Sequence, residues 1–216
     1  MATEKVIKSI VSLLGYGFTI VQLFASGAIT FRQIIQQGTV GEHTCYPYGL
    51  TYLNAVAWIA YGVPMHRWVL VTINTITAFV EAIYSIIYLV YSNEPKRVIA
   101  SVMLLVQIIF TVVLISLEFV VFDRDHSSQA REKTYGLLGA FTAVFMYGSP
   151  VSDVNVQVLN SLLAFSFLGG AIMWTVFAAL KPSDGYRLVS NVIGIACAAA
   201  QCMVWVIYRD RNNARA

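Results

Sequence analysis

Seven apolar runs, each close to the length that crosses a lipid bilayer, restrict what this chain can fold into. A spanning helix needs about 20 mostly apolar residues, and only a helix or a closed barrel satisfies every backbone N–H and C=O where water is absent. The runs predict spans at about Ser9–Ile35, Tyr46–Gly62, Trp68–Tyr91, Val98–Phe122, Tyr135–Val158, Leu159–Leu180 and Tyr186–Tyr208. Asn93-Glu-Pro95-Lys-Arg97 ends the third span, and Lys181-Pro182-Ser-Asp-Gly185 ends the sixth. The segment Asp123–Lys133 is the most polar stretch and is expected to be a solvated loop; Arg209–Ala216 reads as a polar tail. A soluble domain of this size would need a charged surface. Here 58% of residues are hydrophobic and 12% charged, with a mean hydropathy of +0.69, against a soluble norm of about 25% charged.

The same sequence argues against several functional classes. A net charge of +3 without a basic run gives no nucleic-acid surface. Cys45, Cys197 and Cys202 lie in or beside apolar runs without metal-ligand spacing and read as small buried residues. His43, His66 and His126 fall in expected loops. No acid pair, Ser-His-Asp grouping, His-Glu-x-x-His or phosphate loop appears, so the reading is not an enzyme and needs no cofactor or metal. Lys5 and Lys8 followed by Ala25-Ser26-Gly27 resemble a signal peptide. The apolar run continues to Ile35 and has a counterpart in span 5, so span 1 is expected to be retained.

An internal repeat organises the spans. Span 2 carries Leu53-Asn-Ala-Val-Ala-Trp58-Ile-Ala-Tyr61-Gly62, and span 3 follows with Val71-Thr-Ile-Asn74. Span 6 carries Leu168-Gly-Gly-Ala-Ile-Met-Trp174-Thr-Val-Phe-Ala, and span 7 follows with Leu188-Val-Ser-Asn191-Val-Ile-Gly194. Trp58 matches Trp174, Asn74 matches Asn191, and Ser26-Gly27 matches Ser149-Pro150. Spans 1–3 (residues 9–91) therefore match spans 5–7 (residues 135–208), with span 4 (residues 98–122) left over. Two triplets of three helices joined directly would be antiparallel; one extra helix makes them parallel. The expected fold is all-α: seven transmembrane helices as two parallel three-helix bundles joined by a linker helix. Parallel repeats of this kind are a transporter plan with the substrate site at the repeat interface.

These residues carry a resemblance. The three-one-three order, Trp58-x-x-Tyr61-Gly62, Thr72-Ile-Asn74, Tyr147-Gly-Ser149-Pro150, Trp174-Thr-Val-Phe and Ser190-Asn191-x-x-Gly194 resemble the SWEET (MtN3/saliva) family of sugar uniporters over about residues 10–208. The resemblance implies a pocket lined by Asn74, Asn191, Trp58 and Trp174. Amides offer both donors and acceptors to sugar hydroxyls, and an indole face covers the C–H face of a pyranose. It places Asn54 and Gly170 one turn before the two Trp residues, and puts pocket-size residues at Leu23 and Met146. Those two are bulky and favour a monosaccharide over a disaccharide.

The resemblance also implies gates. An outer latch would pair Tyr61 with Asp184, and an inner set of helix pivots would use Pro47, Pro150 and Gly27. Two of the family's four proline positions are not proline here: the span 1 position is Gly27, and the span 6 position falls near Asn160. Glu81 lies seven residues after Asn74 and shares its helix face. It is read as structural, with proton carriage as the other role.

The function expected is facilitative, bidirectional uniport of mono- or disaccharides by alternating access, without ATP or an obligatory ion. The expected partners are a neutral sugar, membrane lipids and copies of the same chain, a trimer by the family's habit. The plasma membrane is expected, with an endomembrane as the alternative. The family's topology puts six basic residues inside and eight outside, so basic-residue bias does not set the orientation. The competing readings are a seven-helix cargo or peptide receptor, which would want a buried basic residue, and a membrane assembly protein.

Overall fold

A computed structural model describes residues 2–122, 128–149, 161–180 and 184–213. Among these residues the chain forms helices and no strands. Helix α1 runs as Ala2–Ile20, widens into a π turn over Val21–Ser26, and continues as Gly27–Gln37. It is followed by α2 (Tyr46–Gly62) and α3 (Trp68–Tyr91). Helix α4 runs as Lys96–Ser116 and ends in a π turn, Leu117–Phe122. The remaining helices are α5 (Ser128–Gly148), α6 (Ser161–Ala179) and α7 (Gly185–Asn213).

Local chemistry sets many of these ends. Gly38 takes a φ of +69° and donates to the Ile34 carbonyl, the left-handed cap that closes α1 without a Cβ clash. Pro47 stands in the first turn of α2, where its missing N–H costs no helical hydrogen bond. Ser92 is extended after α3. Asp184 caps α7, its Oδ1 accepting from the Arg187 backbone N–H at 3.2 Å.

Three boundaries differ from the sequence reading, and the expected end of span 5 at Val158 lies outside the described residues. The first difference is that α1 begins at Ala2 and not at Ser9. Ser128–Lys133, expected as part of a loop, is the first stretch of α5. Two of its charges have partners: Arg131 pairs with Glu118 at 3.2 Å, and Glu132 pairs with Arg67 at 3.1 Å. Polar residues can therefore extend a helix beyond its apolar run. Helix α7 continues through residues 209–213, which were expected as tail.

Lys5–Gln37, Trp68–Tyr91 and Lys96–Phe122 are long and apolar enough to cross a membrane, and Phe165–Ala179 is a shorter apolar stretch. Helix α2 is 17 residues long and largely buried, including Leu53, Asn54, Ala57, Trp58 and Tyr61. Neighbouring helices enclose it. Helix α4 does the opposite: Val102, Leu105, Ile108, Ile109, Val112 and Ile115 all face outward. An apolar face of this extent suits lipid and not water.

The helices pack as two units. One contains residues 1–29 and 147–216, and the other residues 30–146. In the first, α6 packs on α7 and on the opening stretch of α1. Phe18 of α1 fills the space beside Gly169, where no Cβ would fit. In the second, α3 and α4 pack on α2. Phe31 from the closing stretch of α1 stacks on Tyr84 of α3 at 4.2 Å. Met103 of α4 occupies the space at Gly49 of α2.

Helix α4 is also fastened by polar bonds. Gln107, 2% exposed, donates to Ser85 Oγ at 3.0 Å, and Tyr52 and Thr111 share a hydroxyl bond at 3.1 Å. The packing units cut across the sequence triplets. Helices α1 and α5, the first of each triplet, each have residues in both units, with the boundaries at Ile29/Thr30 and Met146/Tyr147.

Candidate functional site

Each unit contains one Trp–Asn set, built in the same way. In the unit of residues 30–146, Trp58 is buried and its ring lies against Gly139 of α5. A Cβ on Gly139 would stand 3.0 Å from three ring carbons. In the unit of residues 1–29 and 147–216, the Trp174 ring lies against Gly15 of α1, where a Cβ would again stand 3.0 Å from the ring. Each indole thus rests on the backbone of a first-in-triplet helix, at a position where only Gly admits the ring without displacement.

The one-residue drift between the repeats has a physical counterpart. Gly15 and Gly139 are 124 residues apart (139 − 15), whereas Ser26 and Ser149 are 123 apart (149 − 26). The first copy therefore holds one more residue over this stretch. A π turn accommodates one extra residue within a helix, and Val21–Ser26 is such a turn.

A hydroxyl accompanies each Gly. Thr142 donates to the Leu138 carbonyl at 3.0 Å, and Thr19 donates to the Gly15 carbonyl at 3.0 Å. Trp174 Nε1 donates to Thr19 Oγ1 at 3.3 Å, which fixes that indole's edge. On the other side Asn54 does the fastening. Buried in α2, it donates through Nδ2 to the Gly139 carbonyl and to Thr142 Oγ1, each at 3.0 Å. Both its N–H groups are thus engaged. At the matched position of α6, Gly170 is buried and a Cβ there would make only ordinary contact, 3.6 Å from Phe18.

The two Asn residues share a posture. Asn74 Nδ2 donates to the Leu70 carbonyl at 2.8 Å, and Asn191 Nδ2 donates to the Arg187 carbonyl at 2.8 Å, each one turn back on its own helix. One N–H fixed this way orients the amide. Asn191 has a further tie: Tyr147 donates its hydroxyl to Asn191 Oδ1 at 3.3 Å. Tyr147 sits where a Cβ on Gly194 would come within 2.5 Å of its ring, and its carbonyl accepts from Gln201 Nε2 at 2.9 Å. Leu23 is buried at 3% exposure, and Met146 is half-buried.

The expected gate residues have close partners within their own units. Tyr61 is fully buried and packs edge-on to Trp58 at 5.4 Å. Arg67 lies over the Tyr61 ring at 4.8 Å and pairs with Glu132, which also accepts from the Tyr61 hydroxyl at 3.4 Å. The other unit repeats the stack. Phe177 packs edge-on to Trp174 at 5.7 Å, and Arg187 lies over Phe177 at 5.4 Å. Arg187 Nε also donates to Asp184 Oδ2 at 2.6 Å. Each set is thus an indole, a second ring, a guanidinium and a carboxylate in sequence.

Gly27 resumes α-helical geometry directly after the π turn. Pro47 lies at the start of α2, where it marks the helix end instead of bending its middle. Pro150 and Asn160 lie outside the described residues.

Sequence reasoning missed Gly15, Gly139, Thr19, Thr142, Glu132, Arg67 and Arg187. The signal for four of them was present in the matched pairs Gly15…Thr19 and Gly139…Thr142 of the first helix in each triplet. Tyr147 was in a quoted motif but carried no role.

Comparison with known proteins agrees with this architecture. The family described as "Sugar efflux transporter for intercellular exchange" matches residues 9–96 and 133–213. The chain is 27% identical over 218 residues to the bidirectional sugar transporter SWEET4 of Oryza sativa subsp. indica, covering 96% of this chain and 82% of that one. It is 31% identical to SWEET16 of Arabidopsis thaliana over 202 residues, covering 88% of this chain and 85% of the relative. The solved structure of a eukaryotic SWEET transporter superposes with a TM-score of 0.77 at 19% identity, covering 96% of this chain and 99% of that one, which shows a shared fold. By fold the protein is an all-helical membrane protein, with seven helices among the described residues. It belongs to the SWEET (MtN3/saliva) family of sugar transporters.

Proposed function

We propose that this chain is a facilitative, bidirectional sugar uniporter that recognises its substrate through the two Trp–Asn sets. The repeated construction carries the reading: two indoles each laid on a glycine, and two amides each pinned by one N–H to the carbonyl four residues back. A neutral sugar presents C–H faces and hydroxyls, which suit an indole face and a half-committed amide. Asn54 and Gly170 flank the indoles, while Leu23 and Met146 limit the size of the sugar. Alternating access would use the unit boundaries in α1 and α5. These fall within a turn of Gly27 and Pro150 in the sequence, the positions expected as pivots. Tyr61 and Asp184 act in the outer gate, and Pro47 sets where α2 begins. Homo-oligomerisation, as a trimer, would cover part of the outward face of α4, and the plasma membrane is the expected location.

The test is uptake of labelled glucose into cells that lack their own hexose carriers, comparing wild type with Asn74→Ala and Asn191→Ala. Uptake by wild type that is lost in both variants, with surface expression intact, supports the reading. Wild-type levels of uptake in both variants would remove the two Asn residues from the site.

A further inference from the structure

We propose that Glu81 is a second sugar-contact point on α3: its carboxyl accepts a hydrogen bond from a sugar hydroxyl two helical turns beyond Asn74. This rests on the transport reading above and adds a residue to it.

The argument starts from what Glu81 lacks. It is 7% exposed, and its Oε2 is buried without a hydrogen-bond partner. Other polar groups along the same face of α3 are engaged. Asn74 and Thr77 donate to the carbonyls of Leu70 and Ile73, at 2.8 and 2.9 Å. Ser85 accepts from Gln107, and Tyr88 donates to the His43 carbonyl at 2.7 Å. A buried carboxyl oxygen left open costs free energy until a donor reaches it. An acidic side chain within a membrane span is a functional candidate for that reason.

The chemistry of the donor follows from the surroundings. Among the described residues no Lys or Arg forms an ion pair with Glu81. Among the described residues no group of three His, Cys, Asp or Glu stands together that could hold a metal ion. A neutral O–H donor fits, because it satisfies the lone pair without adding a charge to be desolvated. Seven residues separate Asn74 from Glu81, so the two share a face roughly 10 Å apart along the helix. Glu81 thus lies two turns beyond Asn74 toward the C-terminal end of α3, with Thr77 between them.

The experiment uses the full chain in liposomes, with initial rates of labelled glucose uptake for wild type, Glu81→Gln and Glu81→Leu between about pH 5.5 and 8. Gln keeps a carbonyl acceptor at the same reach, and Leu removes it. The expected result is a KM raised roughly five- to tenfold in Glu81→Leu, the loss of one hydrogen bond. Glu81→Gln should stay within about twofold of wild type at every pH. A Glu81→Leu KM equal to wild type overturns the proposal. So does a wild-type pH dependence that both variants abolish equally, which would make Glu81 a proton carrier. In parallel, labelling of wild-type Glu81 by a hydrophobic carbodiimide should be slowed by saturating glucose, and unchanged labelling overturns the proposal even if Glu81→Leu does not reconstitute. If the wild type carries no glucose, fructose or sucrose, the transport reading falls and this inference with it. If it carries sugar but Glu81→Leu is indifferent, only this inference falls.

Discussion

The Trp58 ring lies flat against Gly139, with three of its carbons 3.0 Å from where a Cβ on that glycine would stand. Such a contact is tighter than most side chains make, so Gly139→Ala must move the indole by a few tenths of an ångström. Overpacking of this kind costs about 1–3 kcal/mol. We expect Gly139→Ala and, independently, Gly15→Ala to reach the membrane yet lower glucose kcat/KM by about tenfold. Each should also shift the tryptophan emission. Uptake kinetics and fluorescence on the purified variants check both expectations.

Tyr147 orients Asn191 through a single hydroxyl bond of 3.3 Å. Tyr147→Phe keeps the ring that packs beside Gly194 and removes only that donor. A neutral hydrogen bond contributes about 1 kcal/mol net, so KM should rise about threefold to tenfold with the maximal rate little changed. A rise in KM as large as that of Asn191→Ala would mean that the amide has no function without its tyrosine.

Leu23 is buried at 3% exposure, and Met146 is half-buried. If they limit the size of the sugar, trimming them should admit a larger one. Leu23→Ala with Met146→Ala is expected to raise the sucrose-to-glucose uptake ratio at least about fivefold, measured as a competition in the same cells. Removing buried side chains costs about 2–5 kcal/mol each in a tight core, so uptake is normalised to surface protein.

The bond from Gln107 to Ser85 ties the linker helix to α3 at 3.0 Å, with Gln107 almost wholly buried. Interhelical hydrogen bonds in membranes average about 0.6 kcal/mol. Gln107→Ala should therefore lower the detergent melting temperature by a few degrees while leaving glucose KM unchanged. A changed KM would give the linker helix a part in recognition that its position does not otherwise indicate.

Much of the fold could be read from the chain because membranes impose simple rules. Length and apolarity alone put α3 at Trp68–Tyr91, the bounds found in the structure. The paired Trp and Asn residues revealed the repeat because matched polar and aromatic residues stand out against an apolar background. The rule failed where it had no content. Ser128–Lys133 looked like loop because charge density was taken as solvent exposure, but Arg131 and Glu132 find partners in Glu118 and Arg67, far away in the sequence.

The sequence by itself predicted the helices found among the described residues and suggested the matched Trp and Asn residues, since these follow from periodicity and residue type. Tertiary structure decided what each pair rests on. Glycine at 15 and 139 is one residue type among the 14 glycines of the chain until a helix brings an indole onto it. Nor could spacing show that Asn54 would turn both N–H groups toward α5, or that Glu81 would be left with an open oxygen. Hydrogen-bond partnership depends on distances of about 3 Å between groups far apart in the chain, and only packing fixes those distances.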